Sequence, residues 1–236
     1  MRLTPNQVVD AMKQCTLFAD QDSDALAELA ASGSPRSWEG NRLMFAQGEP
    51  MGGVLFLSAG LVRVTLDRHV LDLARGPAVP VLAAALERGP SPVGMSALRG
   101  CEGIVLDRDA FLSFVDARKE LRTRLIEQLA DESNARLTAI PHLVGGSVEQ
   151  RMVAVLDRLA ERHGSPLDEG RYVSLPLRRA DIAMMVCATT ETASRTLAAF
   201  ERRGWLRTNR AGLWWAGARP EEVRQLRTRS DRPATS

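Results

Sequence analysis

The chain has 236 residues, 44% hydrophobic and 25% charged, a composition that implies a globular protein long enough for two small domains. Its formal net charge of +2 conceals an asymmetry: residues 1–177 carry 19 Lys+Arg against 23 Asp+Glu, whereas residues 178–229 carry 11 against 5. An acidic first part followed by a basic second part points to a polyanion met only by the C-terminal segment.

Cys15, Cys101 and Cys187 lie far apart, with no CxxC pair and no histidine cluster, so the expectation is no metal site, no iron–sulfur cluster and a reducing compartment. The N-terminus has no apolar leader and no stretch reaches the length of a membrane span, which predicts a cytoplasmic protein without a membrane partner. Neither GxGxxG nor GxxxxGK[ST] occurs, and no Ser/His/Asp set or paired carboxylates mark a cleft. An enzyme reading has no residues to support it.

In chain order, residues 6–32 read as helical, with Val8, Val9 and Met12, then Leu17 and Phe18, then Leu26, Leu29 and Ala30; Asp22 to Asp24 begin a second helix. From Ser37 the pattern changes to strand-like pieces at 42–45, 53–57 and 61–66, punctuated by Gly48, Gly52, Gly53 and Gly60, which suggests a sandwich or barrel. Residues 79–86 are apolar. A helix of about nine turns is predicted from Asp109 to about Ile140, with Phe114, Leu121, Leu125 and Leu129 on one stripe. Pro141 and the glycines after it predict a break and hinge. Val148 to His163 is amphipathic, 164–170 reads as a loop, and Tyr172 to Leu175 as a short strand.

The stretch from Pro176 to Trp215 then gives two short helices and a hairpin. Ile182, Met185 and Val186 share one face of the first helix; Ala193, Leu197 and Phe200 form the buried stripe of the second. Thr189 can cap that second helix and Gly204 can end it. Trp205 to Thr208 and Leu213 to Trp215 flank Asn-Arg-Ala-Gly as a hairpin. This is the layout of a winged helix-turn-helix, whose second helix enters the DNA major groove. With the stripe inward, Thr190, Glu191, Ser194 and Arg195 point outward; Arg forks onto guanine, Glu accepts from cytosine and Ser meets either base edge. A brief helix after Pro220 and a disordered tail at 229–236 complete the reading.

The string ATTETASRTLAAFERRGWL resembles the recognition helix of CRP/FNR-family bacterial transcription regulators; its E-T-x-S-R core is similar to the FNR-like branch, and RRADIA to the preceding helix. Independently, LFADQDSDALAELAASG, LMFAQGEPMGGVLFLSAGLVRV and CEGIVLDRDAFLSFV resemble the entry helices, first strands and last strand of that family's cyclic-nucleotide-binding jelly roll. The resemblance implies an α+β chain: a sensor jelly roll at 1–109, a dimerisation helix and hinge at 110–145, and a winged helix-turn-helix at 146–228. It implies base reading by Glu191, Ser194 and Arg195, phosphate positions for Arg179, Thr189, Thr190 and Thr192, and a homodimer seam at Phe114, Leu121, Leu125 and Leu129. Double-stranded DNA is the expected partner, with RNA polymerase as a further one, and the FNR-like core implies an inverted repeat resembling TTGAT-N4-ATCAA. The family's nucleotide cassette departs here: its ribose-binding Glu falls at Val81 and its phosphate-binding Arg at Ser91, so the expectation is a jelly roll that has lost cyclic nucleotide and carries no cofactor. Glu87 and Arg88 replace the missing pair only if the loop is rebuilt. The alternatives are gating by cyclic AMP, by haem through His69, or by another small ligand, and a sensor or interaction module without DNA binding. Cys187, in the turn before the recognition helix, is a candidate redox site.

Overall fold

The computed structural model describes residues 4–167 and 169–217, with side chains described outside 138–144. Thr4 opens α1 (Pro5–Gln14) through a capping box: its hydroxyl accepts from the Gln7 amide at 3.4 Å while the Gln7 side chain accepts from the Thr4 amide at 2.8 Å. α2 (Ser23–Ala31) starts from Asp22, within the region where the aspartates predict it. The two helices bury Val8, Val9, Met12, Leu26, Leu29 and Ala30 in one core with the sheets that follow.

Those sheets are antiparallel throughout. β1 (Ser34–Trp38), β2 (Leu43–Phe45), β3 (Val54–Ala59), β4 (Leu61–Leu66), β5 (His69–Arg75), β6 (Gly94–Ala97) and β7 (Cys101–Leu106) arrange as β1-β7-β3 and β2-β6-β4-β5. Gly60 links β3 to β4 at φ +105, where any Cβ would lie 2.6 Å from the Gly100 carbonyl oxygen, so only glycine fits. Phe18 packs edge-on against Phe56 and Phe111 at 6.0 and 6.4 Å between ring centroids, tying the entry helices to β3 and to the helix after β7. The apolar 79–86 stretch contains a short helix, α3 (Leu82–Leu86), between β5 and β6.

The single long helix expected from Asp109 to Ile140 is two helices. α4 (Arg108–Asp116), capped by Asp107 accepting from the Ala110 amide at 2.8 Å, stops at Ala117, and α5 (Lys119–Val144) begins after Arg118. The Arg118 guanidinium folds back over the Phe114 ring at 3.7 Å and donates to the Phe114 carbonyl at 3.0 Å, satisfying the end of α4. The break expected at Pro141 is absent: α5 passes through it, and the chain leaves the helix at Gly145–Gly146. A proline inside a helix removes one main-chain hydrogen bond and crowds the carbonyl four residues back, and here that disturbance falls within the last turns of a 26-residue helix. The chain divides into two units at Arg136/Leu137, inside α5.

In the second unit, Ser147 and Gln150 close a capping box on α6 (Val148–His163), whose bounds match the amphipathic pattern. The expected 164–170 loop is a hairpin of β8 (Gly164–Leu167) and β9 (Gly170–Val173); its exposed, proline-containing first strand hides the alternation. After α7 (Arg179–Met185) and α8 (Thr190–Arg202), β10 (Leu206–Thr208) and β11 (Leu213–Trp215) complete a sheet in the order β10-β11-β9-β8. Gly204 takes φ +74 after the last turn of α8, the left-handed position that a C′ glycine supplies. The brief helix after Pro220 and the tail at 229–236 lie outside the described residues.

The Trp215 indole donates to the Asp157 carboxylate of α6 at 2.6 Å. Burial pushes that carboxyl above its ordinary range; the indole hydrogen bond opposes the shift and the nearby Glu161 charge adds to it. A carboxyl with a raised folded pKa stabilises fully below its unfolded value, about 3.9, and loses that contribution as pH rises through the folded value. Asp157→Asn, which does not ionise, should therefore gain stability relative to the wild type as the pH rises from about 4 through the folded value. Paired thermal melts across that interval check this, and a constant difference in melting temperature would show the linkage to be absent.

Candidate nucleic-acid interface

The helix pair is built from its caps inward. The backbone amide of Arg178 donates to Asp181 Oδ2 at 2.8 Å, and the Arg178 guanidinium lies 3.7 Å from the same oxygen, so the carboxylate of an almost fully buried Asp181 is held at the start of α7. α7 turns Ile182, Ala183 and Met185 inward and ends at Val186. The chain then reverses through Cys187 at φ +50, a left-handed conformation unusual for a residue other than glycine. Arg151 of α6 braces this reversal: its Nε donates to the Val186 carbonyl at 2.9 Å and its terminal nitrogen to the Gly146 carbonyl at 2.7 Å. Nothing in the amphipathic pattern of α6 singles out this arginine.

Thr189 caps α8, its hydroxyl accepting from the Thr192 amide at 3.2 Å and donating to the Thr192 hydroxyl at 2.9 Å. The stripe of Ala193, Leu197 and Phe200 is buried as the spacing predicts, joined by Thr196, whose hydroxyl returns to the Thr192 carbonyl at 3.0 Å. Phe200 packs against Trp205 and Trp215 at 5.1 and 5.9 Å between centroids. That packing fixes how α8 is rotated, and the opposite side of its first two turns faces solvent. There Glu191 and Arg195, with side chains 81% and 73% exposed, approach to 3.8 Å one turn apart. Ser194 between them is half-buried, and its carbonyl accepts from the Arg179 guanidinium at 3.3 Å. Thr189 and Thr190 are exposed and Thr192 half-buried at the same end of the helix.

Arg178, Arg179, Arg195, Arg202, Arg203, Arg207 and Arg210 are all exposed, against the single exposed acid Glu191 among residues 178–210. The hairpin shares in this field. Arg207 stacks over Trp214 at 4.6 Å, and the turn is fixed by Asn209, whose side-chain oxygen accepts from the Ala211 and Gly212 amides at 2.8 Å each. An exposed helix face with one fork donor, one carboxylate and a hydroxyl, set among arginines, is suited to base edges flanked by phosphates.

The remaining sequence-derived residues fall elsewhere. Phe114 and Leu121 are buried in the core of the first unit, and Leu125 and Leu129 pack partly against it. Phe114 and Leu121 are therefore spent inside the first unit, whereas the half-buried Leu125 and Leu129 keep part of their surface outside it. The free face of α5 is the one carrying Thr123, Ile126, Ala130 and Ser133, with Ile126 66% exposed. Val81 and Ser91 are both buried; the Ser91 hydroxyl donates to the Val93 carbonyl at 2.7 Å, so it is spent inside the chain. Arg88 points outward to Asp109 at 2.5 Å and Glu87 is exposed, so the loop is not rebuilt to bring either into the Val81–Ser91 region. His69 is half-buried at the β4–β5 turn. Cys187 is half-buried, and burial pushes its thiol up against the opposing pull of Arg151, which favours the less reactive protonated form. No cluster of His, Cys, Asp and Glu able to hold a metal occurs among the described residues, and no helix among them is long and apolar enough to cross a membrane.

A Crp-like helix-turn-helix domain model matches residues 150–214, the segment that contains the capped helix pair and hairpin. Over 203 residues, 84% of this chain and 91% of the relative, the sequence is 25% identical to a CRP-like cAMP-activated global transcriptional regulator of Mycobacterium tuberculosis. The fold is similar to that of FixK2 from Bradyrhizobium japonicum, with TM-score 0.66, 19% identity, and 86% of this chain and 99% of the other covered. It is also similar to a CooA mutant from Carboxydothermus hydrogenoformans, with TM-score 0.68, 18% identity, and 86% and 90% covered. A third likeness, with TM-score 0.65, 18% identity, and 84% and 100% covered, is to CLP of Xanthomonas campestris, described as a c-di-GMP-responsive global regulator.

The Thr189 cap gives a direct check on the local architecture. Thr189→Ala should lower stability by about 1 kcal/mol and Thr189→Ser by much less, because serine keeps the accepting oxygen. Denaturant unfolding of the three proteins measures this, and equal midpoints for Ala and Ser would remove the capping role.

Proposed function

We propose that this chain, with its Crp-like helix-turn-helix segment at 150–214 and its likeness to a CRP-like transcriptional regulator, is a non-enzymatic transcription regulator of the CRP/FNR family that acts as a homodimer reading an inverted repeat resembling TTGAT-N4-ATCAA, without gating by cyclic nucleotide. The observation that carries this reading is the outward side of α8, with exposed Glu191 and Arg195 and half-buried Ser194 between them, set by the buried Ala193–Leu197–Phe200 stripe. In the proposed complex Arg195 forks onto the guanine, Glu191 accepts from the amino group of its paired cytosine, and Ser194 meets the neighbouring A·T pair. Arg179, Thr189, Thr190 and Thr192 lie at the phosphates and set register without specifying sequence. Two such helices related by a two-fold axis require half-sites one helical turn apart. The DNA partner makes the cytoplasm the place of action, with RNA polymerase as the second partner.

Independence from cyclic nucleotide rests on Val81 and on Ser91, whose hydroxyl is committed to Val93, where the family's cassette has an acid and a phosphate-binding arginine. No cofactor enters the proposal. Selection from random DNA, with no nucleotide added, is the test of the whole reading. It should enrich the inverted repeat, and Glu191→Ala should relax preference at the G·C pair by roughly 1–3 kcal/mol of discrimination. Arg179→Ala should instead weaken all sequences alike and flatten the salt dependence. A non-palindromic product, or a palindrome with another base at the guanine, would remove the assignment, and a requirement for cyclic AMP would remove the ligand independence.

For the dimer, the proposed seam is Thr123, Ile126, Ala130 and Ser133, spaced three and four apart along α5, with the exposed Leu137 a turn further on the same helix. Ile126→Arg sets a charge against its symmetry mate and should give a folded monomer in sedimentation. Leu125→Arg, by contrast, should damage the jelly-roll core, because Leu125 packs there. A dimeric Ile126→Arg protein would move the interface off α5.

A further inference from the structure

α3 is followed at its end and met at its start by charged side chains from other helices. The Arg108 Nε donates to the Ala85 carbonyl at 2.7 Å, satisfying the C-terminal turn. At the other end the Leu82 amide, which has no partner within α3, donates to Glu132 Oε1 of α5 at 3.2 Å. One turn earlier on α5, Gln128 donates to the Val79 carbonyl at 2.7 Å and to the same Glu132 oxygen at 3.4 Å. Arg136, one turn later, holds the other Glu132 oxygen at 2.8 Å, and the Glu132 side chain is only 18% exposed. Between the two anchored positions lies Val81 at φ +55, ψ +42, a left-handed conformation that a β-branched residue adopts only when its surroundings impose it.

We infer that Gln128 and Glu132 form a built-in latch, fastening α5 to the 79–82 segment on both sides of the strained Val81. The latch rests on the proposed function in one respect: it assigns what holds α5, and with it the Thr123–Ile126–Ala130–Ser133 face, in place of a bound ligand. Its parts are mutually ordered. Gln128 and Glu132 lie one turn apart on the inward side of α5, so both reach the segment only while that side is docked. The Glu132 carboxylate supplies the negative charge at the start of α3, and Arg136 fixes its orientation. Release of either side chain frees a backbone group of the 79–82 segment and removes the support of the Val81 conformation.

Hydrogen–deuterium exchange of the full-length protein tests the latch, with DNA affinity measured in parallel on the selected site. The Gln128→Ala/Glu132→Ala double variant should exchange about tenfold faster at 79–86 and along 119–136. It should also bind DNA about tenfold more weakly. Arg88→Ala, which breaks the exposed pair with Asp109, is the control and should change neither. Unchanged exchange at 79–86 in the double variant overturns the latch. If exchange rises equally in β4 and β5, the double variant is generally unfolded and Glu132→Gln decides. That variant keeps an acceptor for the Leu82 amide but loses the charge held by Arg136, and it must speed exchange at 79–86 with β4 and β5 unaffected; otherwise the latch is wrong. Wild-type protein that binds no selected DNA would sink the proposed function and leave the exchange result standing. Fast exchange with undiminished DNA binding would show that the fastening does not govern α5 as proposed.

Discussion

The burial of one stripe of α8 determines most of what the second unit presents to solvent. Ala193, Leu197 and Phe200 leave room for a single rotation of the helix, and Phe200 is held in it by Trp205 and Trp215. Removing an aromatic from such a cluster costs about 3–5 kcal/mol, far more than any exposed contact on the helix contributes. The surface is therefore set by the core beneath it. Thr189 at one end and Gly204 at the other fix the length of the helix, and Arg151 supports the reversal before it through the Val186 carbonyl. The outward side chains then share one face without needing any mutual attraction to place them.

In the first unit the same physics acts on α5 with a different outcome. Its leucine side docks onto the core of the sheets, and its polar inward residues, Gln128 and Glu132, complete backbone groups at 79–82. The helix thus has two amphipathic faces of unequal strength. The stronger is used within the chain; the weaker, with Ile126 and small residues, is left outside. A weak outer face of this kind suits association that depends on the helix being held straight and in place, since small residues contribute through close approach more than through area.

How far the sequence reveals this follows from the range of the forces involved. α6, α7, α8 and the terminal hairpin are legible because their caps, stripe and turn residues lie within a few positions of one another. The exposed base-reading candidates follow by subtraction once the stripe is known. What is not legible depends on residues distant in the chain. The leucines of α5 announce burial but not the partner, and the nearer partner is their own jelly roll. The stop at Ala117–Arg118 is silent because the apolar spacing continues across it and the cap is a side chain folding back over Phe114. β1 is exposed along almost its whole length, so it shows no alternation, and β8 hides behind a proline. Arg151, Gln128 and Glu132 look like ordinary solvated residues of amphipathic helices, because their partners are backbone groups far away in sequence.

The 3.8 Å approach of Glu191 to Arg195 bears on how such a surface would search a long polyanion. In the unbound protein the two charges offset one another at the centre of the outward face. The attraction to any stretch of duplex then comes from the flanking arginines, which are indifferent to base order. Under the proposed reading, the pair must part before either group can engage a base edge, and only a guanine with its cytosine compensates both at once. A wrong base pair leaves the two side chains with a better option in each other. Under the proposed reading the free protein is common to every site, so the pair adds to discrimination only where it re-forms in the complex with a wrong base pair.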